Sequence, residues 1–572
     1  MPPLDLNNMA APPLNATLTA ADTLHESIPS RFARIASRFA QRTAISAPGT
    51  EWTYAELDQR SNFIAREILN RLGAKSEPVA LLMDLDAPLV AAILGTLKAN
   101  KIYLALDPSH APERLAALLA DSRAKLLITD KTNGPAAKSL AGAQLQVLEF
   151  AGGISSPPPI PLLSEISPEA GAWLMYTSGS TGKSKGVWQN HAGIVYHADT
   201  YRELVAIKPD DRLSLLTPCS LSASGSALFG ALLNGATLCP FHVRSQGVER
   251  LALWLRENEV TVYHSVPTVF RQLARSSPDK KVFEKLRLLR LGGEPVLRGD
   301  VELFRQLCPE HCRLMNSLSS TETGLICALL MDKQTRLPDS RVPVGRPVNG
   351  VEVELLDVQG QPVEAGSEGR IAIRGLHLRQ GYWQQPEATA EKFRADPADS
   401  RKRIFFSNDL GRFQPDGSLE HLGRMDSVVK IRGLRVDLSE VEAALHATNL
   451  FEDAVAVASE SEGGEMRLVA YVVPRAGADV SLQNCRRTLR SSLADHMMPA
   501  DFVMLNRLPQ TSGGKIDRRA LPSQPRRPAN SGEKLRDQYE VRLGVIWRKA
   551  LGLDSIGPHD DFFELGGDSL RA

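Results

Sequence analysis

Tyr176-Thr-Ser-Gly-Ser-Thr-Gly-Lys-Ser-Lys-Gly-Val187 follows directly on Leu174 and Met175, which read as the end of a buried strand. Residues 176–186 hold six hydroxyls, three glycines and two lysines. Glycines let backbone N–H groups approach an anion closely, and hydroxyls and ammonium groups neutralise it. The composition points to a polyphosphate. It is not the Walker loop, because the residue five before Gly182 is Thr177 rather than glycine. A plain Ser/Gly linker would not interleave lysines with glycines behind an apolar strand.

Working outward, the 572 residues predict roughly three to four folded units. A net charge of +1 argues against general affinity for nucleic acid or acidic membranes. No run approaches 18 apolar residues, and the first 25 residues lack the pattern of a secretory signal. The six cysteines are scattered, as expected in a reducing cytoplasm. Cys308 and Cys312 flank His311, but no second ligand pair is near, which favours helix-end packing over metal binding.

Residues 1–26 read as a disordered leader. Phe32, Ile35 and Phe39 predict an amphipathic helix followed by a short strand. Thr53 with Glu56 makes a capping box. Apolar runs at 79–83, 126–128 and 146–148 alternate with helical stretches, which implies a mostly parallel sheet. Pro415-Asp-Gly417 predicts a hairpin turn. From Ser427 the pattern becomes that of a small α+β unit closing at Thr511-Ser-Gly-Gly-Lys-Ile-Asp-Arg-Arg519, followed by a Pro-rich tether.

Four further stretches carry polar clusters: Asn316-Ser-Leu-Ser-Ser-Thr-Glu-Thr323, Phe405-Phe-Ser-Asn-Asp-Leu-Gly411, His421-Leu-Gly-Arg-Met-Asp426 and Leu565-Gly-Gly-Asp-Ser-Leu570. Together with the loop at 176–187, and in this order, they resemble the adenylation domains of nonribosomal peptide synthetases. The last resembles the attachment site of a peptidyl carrier protein. The likeness covers about residues 27–572. It implies an α/β fold: a large N-terminal adenylate-forming domain with mixed sheets and flanking helices, a small mobile α+β C-terminal subdomain, and the beginning of a helical carrier domain. The expected divisions are a core at 27–425, a small subdomain at 426–521, a linker at 522–534 and a truncated carrier at 535–572.

The implied reaction is attack of a carboxylate on the α-phosphate of ATP, then transfer of the acyl group to the 4′-phosphopantetheine thiol of the carrier. Like-charged groups meet, so the protein must supply positive charge and positioning. Under the resemblance Thr177, Ser178, Ser180, Thr181 and Lys185 meet the β- and γ-phosphates, Thr321 touches the α-phosphate, and Glu322 is the Mg²⁺ ligand. Asp409 matches the acid that accepts from the ribose hydroxyls, although Ser407-Asn408 replaces the usual Thr-Gly. Arg424 falls near ribose and phosphate, and Asp426 on the hinge of the small subdomain. Lys515, on a Gly-Gly loop with Gly513 in place of asparagine, bridges substrate carboxylate and ATP; Ser569 carries the phosphopantetheine.

The acid-binding positions depart from the amino-acid pattern. Family members that activate α-amino acids pair the ammonium with an aspartate, at a position that here is Ser222. A buried ammonium without a counter-charge costs several kcal/mol, on the order of the burial penalty of an unpaired ion. The other matched positions are Ala223, Ser226, Thr268, Arg290, Gly292, Ser317, Leu325 and Ile326, with no aromatic wall. A small acid lacking a free α-amine is therefore expected. Arg290 either meets an anionic or polar group of that acid or points out of the pocket. The short leader suits a loading module that starts a chain, in a piece of a longer nonribosomal peptide or hybrid polyketide synthetase. The expected partners are the carrier in cis and downstream synthetase domains, with no nucleic acid or membrane, and the piece is expected to be a monomer. The rivals are a stand-alone acyl-CoA ligase, an adenylation domain for an unusual amino acid with a displaced amine anchor, and a catalytically silent scaffold.

Overall fold

The computed structural model describes the chain from residue 26 to 562, apart from 143–144, 154–161, 164, 178–183, 278, 339–340, 427, 461–465, 476–480, 510–515, 517, 523–534, 552–555, 559 and 561. Ser178, Ser180, Thr181, Lys515 and Ser569 lie outside the described residues, as do most of the expected leader and linker and the last ten residues of the expected carrier. No helix among the described residues is long and apolar enough to cross a membrane.

Two large sheets carry the site. One is seven-stranded, with parallel strands Gln146–Glu149, Leu126–Thr129, Pro78–Leu82, Ile102–Leu106 and Gly171–Thr177 side by side. Strands Pro78–Leu82 and Ile102–Leu106 are buried at every position, which is why they read as unbroken apolar runs. Lys185–Asn190 then pairs antiparallel with Gly171–Thr177, so the phosphate-loop stretch connects the two strands of a hairpin. The mostly parallel expectation holds for the interior of this sheet and fails at that edge, because so short a connection cannot make a parallel crossover.

The second sheet has nine strands, including the parallel neighbours Val262–Ser265, Leu288–Leu291 and Arg313–Ser320. Gly324–Met331 returns antiparallel to Arg313–Ser320, leaving Thr321, Glu322 and Thr323 in the turn between them. Helix Ala87–Lys98 is buried on all sides and packs into the main core together with both sheets. Helix Tyr54–Leu72 begins with the expected capping box: Thr53 N donates to Glu56 Oε2 at 2.9 Å and Glu56 N to Thr53 Oγ1 at 3.2 Å.

A mainly antiparallel five-stranded sheet follows and contains Arg403–Phe413 paired with Leu419–Arg424, with Gly417 at φ +80° in the turn. Beyond it come the hairpin Val428–Ile431/Leu434–Asp437, helix Leu438–Ala447, and a sheet of Phe451–Glu460, Met466–Pro474 and Asp501–Met504. These elements enclose a core of their own around Val436, Val441, Leu445, Ala470 and Leu489. Cys308 caps helix Arg298–Leu307, and Cys308 and Cys312 are both buried in the second core.

Candidate active site

Glu322 is the centre of the charged cluster. Its carboxylate is 3% exposed, accepts from Tyr382 Oη at 3.4 Å and pairs with Arg435 Nη1 at 2.8 Å. Burial alone would raise its pKa, but the Arg435 guanidinium holds it below the ordinary glutamate range. An ionised, hard oxygen in a turn suits Mg²⁺, which takes one or two carboxylates together with phosphate oxygens and water. The residues present therefore fit the metal.

Asp409 lies in strand Arg403–Phe413, opposite Arg424 on the neighbouring strand. His421 Nε2 is 3.0 Å from its Oδ1, and Arg424 Nη1 donates to both carboxylate oxygens at 3.1 and 3.2 Å. Burial would raise the Asp409 pKa; the bond from His421 and the charge of Arg424 outweigh it and hold the group far below the usual range. The Ser407-Asn408 departure has a structural reason. Ser407 Oγ accepts from Asp409 N at 3.0 Å and donates to Ile371 O at 2.8 Å, which orients the acid from within the sheet. Asn408 Nδ2 donates to Asp426 Oδ2 at 2.8 Å.

Asp426 is thereby tied to its surroundings. Arg424 grips it with two bonds of 2.7 Å, from Nε and Nη2, and Val428 N donates to it at 3.3 Å. Its pKa is lowered, with Arg424 and Asn408 overcoming burial. Lys185 Nζ lies 5.5 Å from the centre of the Tyr382 ring, and the buried Thr177 hydroxyl donates to Lys185 O at 3.5 Å, which locks the base of the phosphate loop.

Beside this cluster opens a cavity. Ser222, Ala223, Ser226, Arg290 and Leu325 line it as expected, and Ser222 Oγ is 3.4 Å from Thr321 Oγ1. Thr268, Gly292, Ser317 and Ile326 do not line it. Thr268 gives its hydroxyl to Glu294 Oε2 at 2.8 Å, and Ile326 packs in a core with Val187 and Leu318. Ser317 Oγ is buried beside Gly292, where a Cβ would approach it to 3.2 Å. A bulge between Leu318 and Ser319 shifts the strand register, and Ser319 and Ser320 beyond it face the cavity instead.

The wall is also aromatic, which corrects the expectation of a pocket without one. Trp173 and Phe229 contribute it, meeting edge-on at 6.2 Å, and Tyr103 stacks behind Trp173 at 5.3 Å. An unbroken apolar strand gives no period from which Trp173 could be assigned to one face. Sequence reasoning also missed Arg379, Arg435 and His421, which are brought in by tertiary pairing. Gly324, at φ +78°, lies against the half-buried His197, where a Cβ would come within 2.7 Å of Cε1.

Comparison with known proteins adds three matches in chain order: AMP-binding enzyme over residues 32–383, AMP-binding enzyme C-terminal domain over 440–515, and phosphopantetheine attachment site over 541–572. Tyrocidine synthase 3 of Brevibacillus parabrevis is 33% identical over 554 residues, covering 95% of this chain and 8% of that protein. Tyrocidine synthase 1 of the same organism is 30% identical over 554 residues, covering 96% of this chain and 50% of that protein. The chain thus spans half or less of the length of these relatives. A holo nonribosomal peptide synthetase protein with adenylation and carrier domains, bound to a vinylsulfonamide inhibitor, superposes with TM-score 0.79 at 24% identity, over 96% of this chain and 90% of that one. The o-succinylbenzoate CoA synthetase of Bacillus subtilis gives TM-score 0.75 at 23% identity, over 86% and 98%. At such identities these two likenesses speak for the fold.

Proposed function

The chain belongs to the AMP-binding enzyme family of adenylate-forming ligases, and from that membership we propose that it loads a small carboxylic acid lacking a free α-amine onto a carrier thiol. The substrate carboxylate oxygen attacks the α-phosphorus of ATP, the bond to the bridging oxygen breaks, and pyrophosphate leaves. The carrier thiol then attacks the acyl carbon, gives up its proton, and AMP departs. The AMP-binding family uses ATP and Mg²⁺, and the matched attachment site, which contains Ser569, is of the kind that carries 4′-phosphopantetheine. The match at 541–572 favours a carrier thiol over free CoA as acceptor. Relatives whose names are peptide synthases support a place in nonribosomal synthesis.

In this reading residues 27–425 form the core, 426–521 the small subdomain that turns about Asp426, 522–534 the linker and 535–572 the carrier portion. Thr321 and Ser222 stand together where the substrate carboxylate meets the α-phosphate. Glu322 would hold Mg²⁺, which when bound would draw charge from the phosphate oxygens. Asp409, held ionised, accepts from the ribose hydroxyls, and Arg424 beside it keeps it in place. Ser178, Ser180 and Thr181 complete the phosphate loop with Thr177 and Lys185. Lys515 supplies the charge that bridges carboxylate and ATP.

The observation that carries the amine-free reading is Ser222 in the cavity lining, with no aspartate or glutamate beside it among the lining residues. A hydroxyl cannot balance an ammonium taken out of water. The test is ATP–pyrophosphate exchange over a panel of α-amino, α-hydroxy, α-keto, aryl and aliphatic acids. A non-amino acid should give the highest exchange, and Ser222→Asp should lower it. Highest exchange with a proteinogenic α-amino acid would remove this reading.

A further inference from the structure

Two arginines line the acid cavity, and neither has an ion-pair partner among the described residues. Arg379 is 4% exposed; its Nε donates to Thr321 O at 3.1 Å, while Nη1 is buried with no hydrogen-bond partner among the described residues. Arg290 is 8% exposed in the centre of strand Leu288–Leu291, with its guanidinium 5.0 Å from the centre of the Tyr201 ring. Tyr201 in turn is hydrogen-bonded to His264, so that ring is an oriented platform.

The cavity lining supplies no compensating charge. The lining holds no carboxylate, and burial keeps His197 and His264 neutral by pushing both well below the ordinary histidine value. A guanidinium stays protonated at neutral pH, so Arg379 is a cation there. Burying a cation is costly unless an anion comes with it. Arg379 N donates to the backbone carbonyl of Glu322 at 3.2 Å, but the Glu322 carboxylate is already taken by Arg435. Arg379 is fixed at the Thr321 end of the cavity, and Arg290 enters from the interior of the nine-stranded sheet.

Resting on the reading of the cavity as the acid site, we propose that the substrate is a short dicarboxylic acid. Its reacting carboxylate lies by Arg379 and Thr321, and its second carboxylate is held by Arg290 above Tyr201. Guanidinium forks pair with carboxylates through two parallel bonds, which makes Arg290 a specificity-determining residue as well as a counter-charge. Trp173 and Phe229 would then enclose the short chain between the two charged ends.

The test uses the full chain with sets matched in length: succinate, succinamate and butyrate, the same sets one carbon shorter and longer, and the acidic amino acids aspartate and glutamate. Each is scored by ATP–pyrophosphate exchange and by the shift in thermal unfolding temperature without ATP. The diacid of one length should exceed its monoamide and its monoacid at least tenfold in kcat/KM and give the largest thermal shift. Arg290→Met should bring the diacid-to-monoacid ratio close to one, and Arg290→Lys should restore part of it, with circular dichroism verifying that both variants fold. A monoacid or monoamide that equals or exceeds the diacid in both readouts overturns the proposal and leaves the amine-free reading standing. Preference for glutamate or aspartate overturns the amine-free reading and keeps the second anion. If exchange is silent for all, equal thermal shifts for diacid and monoacid overturn the proposal.

Discussion

Arg435 Nη1 lies 2.8 Å from Glu322 Oε1, joining the hairpin at 428–437 to the turn between two strands of the nine-stranded sheet. The cation from the C-terminal unit thus occupies the carboxylate that fits Mg²⁺. Both cannot have the same oxygen at once. Two further pairs, Arg114 with Glu440 at 3.2 Å and Arg244 with Asp495, join the same two parts of the chain.

Replacing Arg435 by methionine should weaken this docked arrangement by about 1.5–3 kcal/mol, the range for a bond to a charged group. Energy transfer between dyes placed on the strands 451–460 and 346–347 reads it. The wild-type signal should fall as Mg²⁺ with pyrophosphate is added, and the variant should start low and stay there. Because Glu322 is held below the ordinary value, its contribution is full above about pH 4.3 and is lost only as pH falls further. The wild-type signal should accordingly be flat between pH 6 and 8. A signal indifferent to both Arg435 and Mg²⁺ would disprove the competition.

Asp409→Asn keeps the shape and removes the charge. His421 and Arg424 then lose their common acceptor, and a ribose hydroxyl would meet a weaker one. At about 1.5–3 kcal/mol per charged hydrogen bond, the KM for ATP should rise roughly ten- to a hundredfold, with the KM for the acid little changed. Steady-state kinetics with each substrate varied in turn decides it.

Lys515→Ala should slow adenylate formation by about 10²–10³-fold, the cost of removing one preorganised group at a developing charge. ATP binding, followed by calorimetry, should persist. Exchange within tenfold of the wild type would take Lys515 out of the mechanism.

His191 is fully buried, has no partner on either ring nitrogen among the described residues, and is pushed down to about 3 by burial. The unfolded chain protonates this ring below about pH 6.5 while the folded one does not, so stability present above that value is lost on acidification. The loss from this group should be about 2 kcal/mol at pH 5. Urea midpoints measured from pH 7.5 to 5 should fall, and His191→Gln should lessen the slope. An unchanged slope in the variant would show that other groups carry the acid sensitivity.

By itself the sequence determined the elements whose cause is local. The capping box at Thr53 and Glu56, the turn at Pro415–Gly417 and the apolar strand before the phosphate loop all follow from residues within a few positions of one another. Glu322 and Asp409 were singled out by the family resemblance of the polar stretches that hold them, not by any local pattern of their own. The tertiary structure decided what depends on which strands pair and with what register. The bulge at Leu318–Ser319 exchanged Ser317 for Ser319 and Ser320 in the lining, and Trp173 was assigned its face by the sheet beneath it. Arg379 and Arg290 become partners of one cavity only when residues far apart in the chain are packed together, and Arg435 reaches Glu322 across 113 positions. Charge complementarity over such separations carries no periodic signature. It is fixed by chain packing, where the desolvation of each ion depends on neighbours that no local window contains.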